Sequence, residues 1–147
     1  MSFLTSAIGL AQGTPVASQS KAPYFLLIGD STVAVNGGWG DGLLSYMKDP
    51  ARGENRAKSG ATTVSWKANG RWEALIESVE ANSDEYEPIV TVQFGHNDQK
   101  VMELDEFQAQ LESIVADVTA AGGTPVRNST PKNSSSSLIF PRYLLHP

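Results

Sequence analysis

The chain has 147 residues, 40% hydrophobic and 18% charged, which is enough apolar material for one globular core. Its net charge of −5, with no run of Lys or Arg, excludes the clustered positive surface that nucleic acids and anionic membranes require, and leaves small neutral or sugar-like substrates open. No stretch reaches the roughly 20 apolar residues that span a bilayer, and the absence of cysteine removes disulfides, thiolate metal sites and a cysteine nucleophile.

Residues 1–20 read as a secretory signal peptide or a disordered leader. A modest apolar run over 1–11 is followed by Val16-Ala17-Ser18, a small-residue pattern of the signal-peptidase kind, although the first Lys comes only at Lys21. Extracellular localisation is the expectation that follows. Residues 24–28 form a continuous apolar run short enough for a buried parallel strand, with Pro23 marking its start. Trp39, Leu43, Leu44 and Met47 then recur at helical spacing. A second, weakly patterned strand falls over 53–57. Trp72, Leu75, Ile76 and Val79 predict the next helix, and the polar stretch 82–88 leads into a strong strand over 89–94. Leu104, Phe107, Leu111, Ile114, Val115 and Val118 give the clearest amphipathic helix. Acidic residues at its N-terminal end complement the helix dipole, and Gly122-Gly123 stop it.

Strands alternating with helices imply βαβ units, because a parallel strand can be reached only by a crossover. The fold class is therefore α/β with a parallel sheet. In such a sheet the loops after the strands emerge on one rim, where open α/β sheets bind ligands. Three short segments follow strands: Gly29-Asp30-Ser31, Lys58-Ser59-Gly60 and Gly95-His96-Asn97-Asp98. Thr124-Pro125-Val126 begins as a fourth strand, but residues 127–147 continue as a serine-rich polar tract and an apolar end without period, and read as an aberrant tail foreign to a domain spanning 21–126.

A serine hydroxyl attacks an ester only when an imidazole takes its proton and a carboxylate fixes that imidazole, and the reaction needs donors aimed at the developing oxyanion. Ser31 supplies a hydroxyl and its own N–H, Gly60 a second N–H free of side-chain crowding, and Asn97 a carboxamide donor. Each segment is also a plausible turn by itself. Asp30 and Asp98 read as loop-orienting carboxylates bonded to backbone rather than as acid/base groups or metal ligands. Of two histidines, His96 sits beside Asn97, where adjacent side chains point apart, which makes it a wall of the site and not its base; Trp39 is a second wall residue, suited to stacking on a sugar. A separate reading takes 37–42, Gly-Gly-Trp-Gly-Asp-Gly, as a phosphate loop, although no Gly-Lys-Ser/Thr follows.

The three segments, in this order and each after a strand, resemble three of the four sequence blocks of the SGNH (GDSL-type) hydrolases, and most closely their rhamnogalacturonan acetylesterase-like branch. Asp30-Ser31-Thr32, the 36–40 run Asn-Gly-Gly-Trp-Gly and the 55–60 run Asn-Arg-Ala-Lys-Ser-Gly extend the resemblance, which covers about residues 24–126. It implies a three-layer α/β/α flavodoxin-like fold, incomplete at the C-terminus. It also implies Ser31 as nucleophile, an oxyanion hole of Ser31, Gly60 and Asn97, and removal of acetyl groups from plant cell-wall polysaccharide, or from a small ester, without metal or cofactor. The family's fourth block, Asp-x-x-His, is missing: His146 is second from the end, and Tyr143 stands where the acid belongs. The expectation is a chain with a nucleophile and an oxyanion hole but no base, hence nearly inactive, or else a non-catalytic carbohydrate-binding or regulatory remnant. Self-association through an exposed sheet edge is expected as well.

Overall fold

The computed structural model describes residues 20–127, in which four parallel strands form one sheet in the order β2-β1-β3-β4. The readings made for the leader, the serine-rich tail and His146 lie outside the described residues. Strand β1 (Ala22–Gly29) is central, paired on one side with β2 (Arg52–Asn55) and on the other with β3 (Tyr86–Gln93). Its side chains are apolar toward both faces because both faces are covered, which is why the sequence shows a run there and no alternation. Strand β4 (Thr124–Arg127) pairs with β3 and carries Pro125, a residue that an edge strand tolerates.

Leu26, Ile28, Val90 and Val92 share the face that packs against Trp66 of α2 (Thr63–Lys67), Leu75 and Val79 of α3 (Arg71–Asn82), and Leu111, Ile114 and Val118 of α4 (Leu104–Ala120). The opposite face carries α1 (Gly40–Ser45), whose Leu44 reaches Gly53 of β2 next to Phe25. The result is an α/β/α arrangement of three layers, produced by crossovers of one hand: the step from β1 to β2 runs opposite to the later steps, so its helix falls on the other side. Thr91 lies on the α1 side, and its hydroxyl is buried without a hydrogen-bond partner among the described residues.

The elements read from the sequence are present, with bounds shifted for local reasons. Helix α1 ends at Ser45, before Met47, and Trp39 is its N-cap residue rather than part of its apolar face. Strand β3 begins at Tyr86, inside the polar lead-in, because the Tyr86 ring meets Tyr24 edge-on at 5.5 Å; Phe94 lies past the strand and packs on Trp66 at 6.3 Å. Strand β2 occupies 52–55 rather than 53–57. Helix α2, absent from the sequence reading, is started by a reciprocal cap in which Thr62 Oγ1 accepts from Ser65 N at 3.0 Å and Ser65 Oγ accepts from Thr62 N at 2.9 Å. Five residues are too few for a helical period to show. Trp66 anchors this helix, fully buried, with its indole N–H donating to the Arg56 carbonyl at 3.0 Å.

Candidate functional site

Parallel strands end on one rim, and the three predicted segments all leave from it. Gly29, the last residue of β1, is in register with Gln93, the last of β3. The backbones approach so closely that a Cβ on Gly29 would stand 2.5 Å from the Gln93 carbonyl oxygen, which accounts for glycine here. Asp30 N donates to that same oxygen at 3.2 Å, and the chain then turns at once: Val33 N and Ala34 N both donate to Asp30 O, at 3.2 and 3.0 Å. The Asp30 carboxylate is buried and accepts from Thr32 N and Thr32 Oγ1 at 2.9 and 2.8 Å. Ser31 stands exposed at the crest of this turn, and its N–H has no acceptor among the described residues.

The second loop is tied to the end of β1 by Lys58 N donating to Gly29 O at 2.9 Å. Gly60 follows with φ +77°, a left-handed conformation that glycine adopts freely; it is exposed, with open space where a side chain would stand, and its N–H likewise lacks an acceptor among the described residues. Asn55, at the end of β2, supports both loops: its Nδ2 donates to Val33 O at 2.9 Å and to Asp41 Oδ1 at 2.8 Å, while its Oδ1 accepts from Ala57 N at 3.2 Å.

The third loop leads into a short 3₁₀ turn, Asp98–Lys100. Asn97 Nδ2 donates to Ala61 O at 3.0 Å, which places this carboxamide against the residue following Gly60; Asn97 Oδ1 accepts from Lys100 Nζ at 3.4 Å. Both atoms of the amide thus have a partner, and one of its two N–H donors has no acceptor among the described residues. Asp98 is fully buried and accepts from Thr63 N, Thr63 Oγ1 and Gly95 N at 2.7, 2.6 and 3.1 Å. Both aspartates thus bond to backbone and hydroxyl groups of the loops, as read from the sequence, and among the described residues no group of three or more metal-ligating side chains forms.

His96 is exposed on the same loop, its carbonyl accepting from Gln99 Nε2 at 3.1 Å. Trp39 is half-buried at the α1 side of the rim, with its indole N–H donating to Gln93 Oε1 at 2.7 Å, so one edge of the ring is committed to the end of β3. The run 37–42 does not form a phosphate cradle: the N–H groups of Gly38, Trp39 and Gly40 donate to the carbonyls of Ala34, Thr32 and Val33, and are spent holding the Ser31 turn against α1. Two surface hollows, of about 510 and 270 Å³, lie at the opposite rim, where β2 and β3 begin. They share no residue with the loops that carry Ser31, Gly60 and Asn97.

Sequence reasoning did not find the supporting roles of Asn55, Thr63 and Gln93. Each is a polar residue with at least one partner 22 to 54 positions away, a relation no local pattern reports.

A curated rhamnogalacturonan acetylesterase, RhgT of Bacillus subtilis (strain 168), is 37% identical over 87 residues, 54% of this chain and 35% of its own length; the chain thus spans about a third of that relative. A solved member of the lipolytic protein G-D-S-L family from Veillonella parvula DSM 2008 aligns with 72% of this chain and 57% of its own, at a TM-score of 0.48 and 14% identity. Residues 25–143 match the GDSL-like lipase/acylhydrolase family. With that match running through all three rim loops, the chain belongs to the GDSL-like lipase/acylhydrolase family.

Proposed function

We propose that this chain carries the nucleophile and oxyanion hole of a serine esterase that removes acetyl groups from a plant cell-wall polysaccharide. Ser31 Oγ attacks the ester carbonyl; the N–H groups of Ser31 and Gly60, with the free N–H of Asn97 Nδ2, receive the oxyanion; the alcohol leaves and water releases acetate from the acyl-serine. The observation that supports this reading is the presence of three donor groups on one rim: two backbone N–H groups without acceptors among the described residues and a carboxamide bonded at 3.0 Å to Ala61, next to Gly60. One oriented donor of this kind is worth about 3 kcal/mol of barrier. His96 and Trp39 flank the site as walls for the sugar. The polysaccharide substrate and secretion are supported by the acetylesterase relative and by the small-residue leader pattern, respectively.

The 147 residues contain no Asp-x-x-His pair, and these residues by themselves are expected to turn over esters slowly, with proton removal from Ser31 left to solvent. A site without its base retains only the acceleration due to oxyanion binding and positioning, roughly 10³-fold over water. Hydrolysis of p-nitrophenyl acetate, measured with and without added imidazole, tests this. With the reaction of imidazole alone on the ester subtracted, the expected result is weak turnover that exogenous imidazole raises in the wild type but not in Ser31→Ala. Turnover equal in wild type and Ser31→Ala, with no imidazole-dependent difference, overturns the esterase reading. Fast Ser31-dependent turnover without imidazole keeps that reading and overturns the missing base.

A further inference from the structure

Two residues that cannot touch a substrate join the loops of the proposed oxyanion hole. Thr63 and Asp98 are both fully buried. The Asp98 carboxylate takes Thr63 N and Thr63 Oγ1 on Oδ1, at 2.7 and 2.6 Å, and Gly95 N on Oδ2 at 3.1 Å. Gly60 lies three residues before Thr63, and Asn97 immediately precedes Asp98. With Asn97 Nδ2 on Ala61 O, the loop after β2 and the loop after β3 are sewn together twice, although β1 separates the two strands in the sheet. A buried carboxylate accepting three hydrogen bonds admits little movement, because any displacement leaves a charge unpaired away from water.

We propose that Thr63 and Asp98 are positioning residues that set the separation of the Gly60 N–H from Asn97 Nδ2. The proposal rests on reading those two groups as oxyanion donors. Donors stabilise a transition state only where they already stand, and a displacement of about 1 Å costs roughly a hundredfold in rate. A merely structural role for the pair would lower stability and leave the donors where they are.

Thr63→Val keeps the side-chain shape and the backbone donor but removes Oγ1; Thr63→Ser restores the hydroxyl. The readouts are the ¹⁵N–¹H signals of the Gly60 amide and the Asn97 side chain, and the affinity of the chain for methylboronic acid. Boron adds Ser31 Oγ to form a tetrahedral boronate, and the hydroxyl proton passes to buffer. The expected result is displaced Gly60 and Asn97 signals in Thr63→Val, unmoved Leu26 and Val90 signals, and boronate affinity about tenfold weaker, because the donors no longer stand where the boronate oxygen lies. Thr63→Ser is expected within about twofold of wild type, since its hydroxyl again bonds Asp98 and holds the two loops in place. Should Thr63→Val not fold, Asp98→Asn serves in its place, turning an amide against the Gly95 N–H while keeping an acceptor for Thr63. Signals and affinity that stay put while only the melting temperature falls overturn the positioning role. Failure of the wild type to form the adduct, or its survival in Ser31→Ala, overturns instead the reading of the site on which the proposal rests.

Discussion

The Asn97 carboxamide donates through Nδ2 to the Ala61 carbonyl at 3.0 Å while its oxygen accepts from Lys100 Nζ at 3.4 Å. Both atoms of the amide thus have a partner, which favours this orientation of the carboxamide. Through Ala61 the carboxamide is tied to the loop that carries Gly60.

Asn97→Asp replaces the donor by an acceptor facing the Ala61 carbonyl. The lost bond and the new repulsion are expected to lower stability by about 1–2 kcal/mol, seen as a lower urea midpoint. Imidazole-supported, Ser31-dependent turnover is expected to fall about a hundredfold through loss of one oxyanion donor. A variant of unchanged turnover would remove Asn97 from the site.

Two glycines at the rim are expected to fail differently. At Gly60, φ +77° with open space beyond, alanine meets no atom and costs only the left-handed backbone, about 1 kcal/mol. At Gly29, alanine would place its Cβ 2.5 Å from Gln93 O and 2.7 Å from Val33 Cγ2, so β1 and β3 must separate. Overpacking at such a contact costs typically 1–3 kcal/mol. Thermal melts of the two variants, with Gly29→Ala much the lower, check the distinction.

Tyr24, Glu54 and Arg56 make stability depend on pH at both ends. The Tyr24 hydroxyl donates to Glu54 Oε1 at 2.5 Å, and Arg56 Nε donates to Glu54 Oε2 at 2.8 Å. The Glu54 carboxyl is held below its ordinary value, first by the Tyr24 hydrogen bond and then by Arg56 against an opposing effect of burial. The Tyr24 phenol is pushed up from 10.0 to about 12, by burial first and by Glu54 second. A lowered carboxyl pKa adds stability above its unfolded value that is lost as pH falls through the folded one; a raised phenol pKa adds stability below 10.0 that is lost as pH rises toward about 12. Urea midpoints from pH 3 to 12 are expected to show wild type ahead of Tyr24→Phe across the middle range, with the gap narrowing at both extremes. A gap constant with pH would show that the hydroxyl acts only by packing.

Thr91→Val is expected to stabilise. The Thr91 hydroxyl is buried without a partner among the described residues, and valine has the same shape without the desolvated oxygen. Relief of an unmade hydrogen bond is worth about 1 kcal/mol or more, and the check is a higher melting temperature. A lower one would mean that the hydroxyl is bonded in solution.

The sequence alone determined the two central strands and the long helices, because a buried parallel strand must be a short apolar run and an amphipathic helix must repeat its apolar residues every three or four positions. Residues 24–28 and 89–94, and the stripe from Leu104 to Val118, announce themselves in that way. The three rim segments were legible for the same reason, since their place just past a strand fixes the side of the sheet from which they emerge. What only the tertiary structure decided is which polar groups meet. The bonds of Asp98 to Thr63, Trp39 to Gln93 and Asn97 to Ala61 join residues 35, 54 and 36 positions apart. A hydrogen bond depends on the distance and angle between two groups, and those are set by how helices and strands pack, not by the spacing of residues along the chain.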